Sequence, residues 1–179
     1  MNKYKMLGVA GAVLMMTSMA VKSDEGVSYG GIGYHLGTYE ETGLPSASPT
    51  GLELKFGTYV SDRAAFEGRL VMGMGDDSIN ISGFDVDIEL DRAISLFLKG
   101  DLPLSSAANL YGLIGFTKGK ITASVPGFSF SVDDSGLSYG VGAEAELSND
   151  VYVSGEYIFY LSEDTYDYSG FNLGLKKLF

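Results

Sequence analysis

Cysteine and tryptophan are absent, histidine occurs once and proline four times, and 12 basic residues face 23 acidic ones. Without cysteine the chain forms neither a disulfide framework nor a thiolate metal site. A formal charge of −11 removes nucleic acid as a partner, because phosphate binding needs a basic surface. Beyond residue 21 no apolar run is long enough for a membrane-crossing helix, and no 3.6-residue repeat is evident. What is abundant is glycine, at 25 residues, with 12 tyrosines and 10 phenylalanines. A hydrophobic content of 45% excludes intrinsic disorder, and 179 residues favour one domain with a sizeable interior.

The first residues read as an address. Lys3 and Lys5 precede an apolar stretch over residues 6–21, and Ser18 and Ala20 match the −3 and −1 positions of a signal-peptidase site. The stretch is shorter than the roughly 20 residues a spanning helix needs, and Thr17 and Ser18 interrupt it. The expectation is a signal peptide over residues 1–20, cleaved as late as Ser23, followed by an exported domain over 21–179. Removing Lys3 and Lys5 deepens the formal charge to −13.

The rest alternates with a period of two. Leu52, Leu54 and Phe56 oppose Glu53, Lys55 and Gly57; Phe66, Leu70 and Met72 oppose Glu67, Arg69 and Gly73. Leu96, Leu98 and Leu102 oppose Phe97, Lys99 and Asp101, while Val153, Tyr157 and Phe159 oppose Ser154 and Glu156. Tyr139, Val141 and Ala143 oppose Gly140, Gly142 and Glu144, and Phe171, Leu173, Leu175 and Phe179 oppose Asn172, Gly174 and Lys176. Residues 27–39 and 109–118 are strand-like but carry apolar residues on both faces. Eight strands result. Their connections alternate: long over 40–49, 76–85, 119–135 and 162–167, short over 61–63, 103–108 and 148–150. This rhythm predicts an all-β, eight-stranded antiparallel up-and-down transmembrane barrel, with the acid pairs Glu40-Glu41, Asp76-Asp77, Asp133-Asp134 and Glu163-Asp164 on its long loops.

A soluble barrel with charges facing water has the same parity. The loop rhythm, the closing Phe179 and tyrosines near strand ends (Tyr34, Tyr111, Tyr139, Tyr152 and Tyr168) favour the membrane version. Its polar face holds Glu53, Lys55, Glu67, Arg69, Lys99, Glu144, Glu146, Glu156 and Lys176. Hydrocarbon excludes such charges, so they turn into a lumen only wide enough for side chains, where near balance predicts an ion-paired plug. Arg92, Lys118 and Lys120 fall near the outer-leaflet boundary on the lipid side, placed to meet lipopolysaccharide phosphates.

The chain resembles the OmpA-like family of small outer-membrane barrels, which includes porin-family and opacity-related surface antigens. The resemblance spans the mature chain and rests on Leu98-Lys99-Gly100-Asp101-Leu102-Pro103-Leu104, on Leu110-Tyr111-Gly112-Leu113-Ile114-Gly115, and on the closing Gly174-Leu175-Lys176-Lys177-Leu178-Phe179. It implies a Gram-negative outer membrane and a C-terminal signal, here Leu173, Leu175 and Phe179, read by the barrel assembly machinery. Lys177 departs from the aromatic usual at its position.

Catalytic chemistry is not evident. His35 points inward without a His-x-Ser pair, and a catalytic histidine needs a nucleophile in reach. Asp85, Asp87, Glu89 and Asp91 lack the spacing of a calcium loop and read as a solvated ribbon. Neither cofactor nor metal is expected. Phe128 and Phe130 in the longest connection either form a binding surface or pack on the rim. The expected function is structural or surface-interactive, with outer-membrane lipid, lipopolysaccharide and an unidentified extracellular ligand as partners. A narrow channel for ions or small solutes is the alternative, and lipid A modification a third. With the chain ending at its last strand, no peptidoglycan-binding domain is expected.

Overall fold

The computed structural model describes residues 25–81, 84–162 and 166–179; the expected signal peptide and the Glu163-Asp164 pair lie outside them. Nine strands occur among the described residues: β1 (Ser28–Glu41), β2 (Thr50–Ser61), β3 (Ala64–Gly75), β4 (Asp77–Ile81), β5 (Phe84–Pro103), β6 (Ala108–Val125), β7 (Phe128–Ser148), β8 (Val151–Ser162) and β9 (Tyr166–Leu178). Pairing is antiparallel throughout, β1 joins β9, and β3 joins β5. Eight strands therefore close into a barrel, and β4 stands outside the ring as a prolongation of β3 along the far half of β5.

Alternation decides what each wall residue meets. Ile32, Leu54, Phe56, Phe66, Leu96, Ile114, Phe116, Val141 and Leu173 all point outward and are exposed, as a hydrocarbon belt requires. The opposite parity, including Tyr29, His35, Glu53, Arg69, Lys99, Tyr111, Glu156 and Asn172, is buried in the lumen. β1 and β6, ambiguous in sequence, obey the same rule: Tyr111 and Leu113 are apolar residues facing inward. The wall is tight enough to exclude side chains locally. A Cβ on Gly115 would stand 2.0 Å from the Leu96 carbonyl oxygen.

Two of the long connections are strands. Residues 119–135 form the ends of β6 and β7, paired from Gly119–Asp134 up to Val125–Phe128 and closed at Gly127, whose φ of 86° suits the missing side chain. Within the span 76–85, β4 covers Asp77–Ile81 and β5 begins at Phe84. With β4 pairing on one side of β5 and β6 on the other, a four-stranded wing of β4, β5, β6 and β7 rises from one side of the barrel. The expectation of loops fails because the wing's chemistry inverts that of the barrel. On β6 and β7 the outward residues become Lys118, Lys120, Thr122, Ser129, Ser131 and Asp133, while Ile121, Ala123, Phe128, Phe130 and Val132 share the inner parity. That inversion is what crossing from lipid into water demands. On β5 a bulge between Leu90 and Arg92 performs the same change, turning Ile88 and Leu90 inward above it and Ala93 and Phe97 inward below.

The tyrosines require a second correction. Tyr34 and Tyr139 face outward, but Tyr111 and Tyr168 are buried in the lumen and Tyr152 lies against Lys176 on the inner side. Strand parity, which puts each in step with buried neighbours, overrides the interfacial preference of the ring.

Candidate functional site

The lumen is filled by two ionic clusters and an apolar layer. In the first cluster, β2 and β3 supply Glu53, Lys55, Glu67 and Arg69, and β8 supplies Glu156 from across the barrel. Arg69 reaches three carboxylates: Nε to Glu67 at 2.5 Å, Nη1 to Glu53 at 3.1 Å, and Nη2 to Glu156 at 2.9 Å. Lys55 stands 3.2 Å from Glu53 and 3.1 Å from Glu156. Tyr29 donates to Glu67 at 2.6 Å and Tyr111 to Glu156 at 2.8 Å. These hydroxyls occupy carboxylate lone pairs that would otherwise be buried unused.

The second cluster lies toward the turns between β2 and β3 and between β7 and β8. Lys176 stands 2.7 Å from Glu144, and Lys99 stands 2.5 Å from Asp101 and 3.4 Å from Glu144. Tyr59 donates to Asp101 at 2.8 Å, and Lys99 also sits 4.4 Å from the centre of the Tyr111 ring. Of the nine charges assigned to the lumen from sequence, eight are buried in these clusters; Glu146 is exposed and outside both. It keeps the inward row of Tyr152 and Lys176 but stands at the end of β7, next to the irregularity before Ser148, where it is exposed. Asp101 and the tyrosines escaped the sequence reading. Asp101 shares the parity of Lys99 and was legible on that ground, whereas the tyrosine partners are set by cross-lumen distance.

Toward the wing the polar contents give way to Val71, Leu90, Ala93, Leu113, Ile158, Tyr160, Leu161 and Tyr168, all buried together. His35 lies beside this layer, Nδ1 2.6 Å from Asn172 Oδ1 and Nε2 2.6 Å from the Tyr168 hydroxyl. Asn172 in turn donates to Tyr160 at 2.8 Å. Both ring nitrogens are thus engaged by an amide and a phenol, with no serine hydroxyl among those partners. Above, Ala47 of the β1–β2 connection is buried against Ile79 and Ile88, with Tyr39, Val86, Ile121 and Ala123 around them. There burial and the neighbouring Glu41 carboxylate push the Tyr39 hydroxyl well above the ordinary phenol range.

Outside the lumen, the wing exposes Asp85, Asp87 and Glu89 on its outer face and Phe128, Phe130 and Val132 toward its tip on the inner one. β7 pairs with β8 only from Tyr139 downward, so its segment from Phe128 to Leu137 has one strand edge without a partner strand among the described residues. Of the three expected lipid-boundary cations, Arg92 and Lys118 are exposed on the outer wall, and Lys120 is tied to Asp91 at 3.1 Å. Leu173 and Leu175 project outward on β9, and Phe179, one residue past its end, is exposed with its ring 6.2 Å from that of Phe56.

The outer membrane protein beta-barrel domain model matches residues 7–179. No curated protein matches the chain. Among solved structures, the attachment invasion locus protein Ail of Yersinia pestis is similar at 23% identity and a TM-score of 0.66, covering 87% of this chain and 99% of its own. Ail has also been solved in complex with the heparin analogue sucrose octasulfate. Neisserial surface protein A is similar at 14% identity and a TM-score of 0.68, with 87% and 100% covered. OprG of Pseudomonas aeruginosa is similar at 13% identity and a TM-score of 0.60, with 87% and 97% covered.

Proposed function

The chain belongs to the outer membrane protein beta-barrel domain family, and from that premise we propose that it is a surface-interaction protein of the outer membrane, non-enzymatic, whose working part is the extracellular wing. The observation that carries this reading is the contrast between interior and exterior. The lumen is closed by two ion-paired clusters and an apolar layer, whereas the wing exposes Phe128 at 67% and Phe130 at 60% beside an unpaired strand edge. An exposed edge with alternating apolar side chains is the arrangement that accepts an added strand from a partner protein.

The partner's charge follows from the wing's. Asp85, Asp87, Glu89 and Asp133 are exposed on it, and Lys120 is occupied by Asp91. A polyanion of the kind co-crystallised with Ail would meet repulsion there; a cationic extended protein segment would not. We also assign Arg92 and Lys118 to the lipopolysaccharide phosphate layer, where Lys120 is instead held by Asp91, and the outward Leu173, Leu175 and Phe179 to recognition by the barrel assembly machinery. His35, held by Asn172 and Tyr168, supports the non-enzymatic reading.

The test is adhesion of cells displaying the chain to immobilised extracellular proteins, with residues 120–133 replaced by a tight turn in the comparison strain. Binding lost with the wing, while the barrel remains heat-modifiable, supports the reading. Binding unchanged by its removal refutes it. A steady open level in planar bilayers would instead favour the narrow channel, which the buried apolar layer disfavours.

A further inference from the structure

The outer wall of β2, β3, β5 and β6 carries a groove of about 580 Å³. It exists because Gly68 offers no side chain in the cross-strand row of Phe56, Gly68, Leu96 and Phe116, with Phe66 on the adjoining row. On a hydrocarbon-facing surface such a slot receives an acyl chain. Following the same strands toward the wing, the next row carries Leu70, Ile94 and Lys118, and the row after it Met72, Arg92 and Lys120. Arg92 lies four residues from Leu96, about 13 Å of strand, which is within the reach of one acyl chain. Arg92 and Lys118 are exposed and outside any ion pair among the described residues. Of the acids beside them, Asp91 is taken by Thr122 at 2.9 Å and Lys120 at 3.1 Å, and Asp133 stands across from Lys120 rather than Lys118.

A second groove, bordered by Ile32, Tyr34, Leu52, Leu173 and Leu175 on the other wall, offers an internal contrast. No lysine or arginine follows it toward the extracellular ends of β1 and β9. Only the first groove combines an apolar slot with unpaired cations at headgroup height.

We propose that this wall is a seat for one lipid A molecule, its phosphate on Arg92 and Lys118 and an acyl chain lying over Gly68 between Phe56, Phe66 and Phe116. The proposal deepens, and rests on, the assignment of these cations to the lipopolysaccharide layer. Lys120, committed to Asp91, is not part of the seat.

The test is the amount of lipid A and phosphatidylethanolamine retained per folded barrel after purification from outer membranes in mild detergent, read by mass spectrometry. Three variants are compared: Arg92→Gln with Lys118→Gln, Gly68→Leu, and Gly155→Leu on the other wall. A Cβ at Gly68 would meet Leu96 at 3.7 Å and the Phe56 carbonyl at 3.9 Å, ordinary contacts, so a side chain fits there. Gly68→Ala stands in should leucine impair heat-modifiability. The expected result is about a tenfold loss of lipid A in each of the first two variants, with phosphatidylethanolamine and the Gly155 variant unchanged. Loss in the cation variant alone would overturn the seat while leaving phosphate contact standing. Loss in neither would overturn both, and parallel loss of phosphatidylethanolamine would overturn the assignment to lipid A.

Discussion

Replacing Arg69 by Met tests whether the lumen is held by charge pairing or merely filled. The guanidinium serves Glu53, Glu67 and Glu156, and its side chain is 1% exposed, so water cannot take over its role. With Arg69 gone, Lys55 remains as the only base against three buried carboxylates of that cluster. Removing one member of a buried ion pair costs about 3–5 kcal/mol, because the partner is left desolvated and unpaired. Methionine preserves most of the stem's packing, including that beside Phe97, whose ring centre lies 5.2 Å from the guanidinium carbon. At roughly 2 kcal/mol per molar urea, the unfolding midpoint in detergent should fall by about 2 M, read from heat-modifiable mobility on gels. Adding Glu156→Gln removes one of the stranded carboxylates and should recover a substantial part of the loss, a coupling on the order of 2 kcal/mol. A midpoint shift below about 0.5 M for Arg69→Met, or no recovery in the double variant, would refute the reasoning.

Gly115→Val should prevent closure of the barrel, since its Cβ would stand 2.0 Å from the Leu96 carbonyl oxygen and 2.7 Å from the Phe97 ring; the check is loss of the heat-resistant compact band. Glu146→Gln should leave stability within about 0.5 kcal/mol, because an exposed carboxylate outside both clusters contributes little, and urea titration measures it. Replacing Phe128 and Phe130 by serine should spare the urea midpoint to within about 0.5 kcal/mol while abolishing cell adhesion, which separates wing function from barrel stability.

Parity made the barrel legible. Glu53 and Arg69 alternate with Leu54 and Leu70 without interruption, and hydrocarbon allows only one orientation for that pattern. The wing was hidden by the same logic. Phe128, Phe130 and Val132 alternate as cleanly as any barrel strand, but beside serines and a glycine turn they look like a loop, since no charged face opposes them until Asp133. The β5 bulge is a second obstacle: one inserted residue at Asp91 exchanges the faces, and nothing in the local composition announces it. Glu146 shows the converse limit: parity sets it in the row of Tyr152 and Lys176, but at the strand's end that row no longer guarantees burial.

The pairs that span the lumen join residues far apart in the chain: Arg69 and Glu156 are 87 positions apart, and Lys55 and Glu156 are 101. β2 and β3 can form early as a hairpin, with Arg69 already on Glu53 and Glu67, while Glu156 waits on β8. Until the first and last strands meet, every one of these charges retains access to water, so an open intermediate suffers no penalty for unmatched burial. Drying and the pairing with Glu156 then happen in one event, when β9 docks on β1. The cross-lumen pairs act as a latch, indifferent to the half-made sheet and engaged only by the completed ring. Such a latch leaves assembly permissive up to its last step and makes reopening costly afterwards.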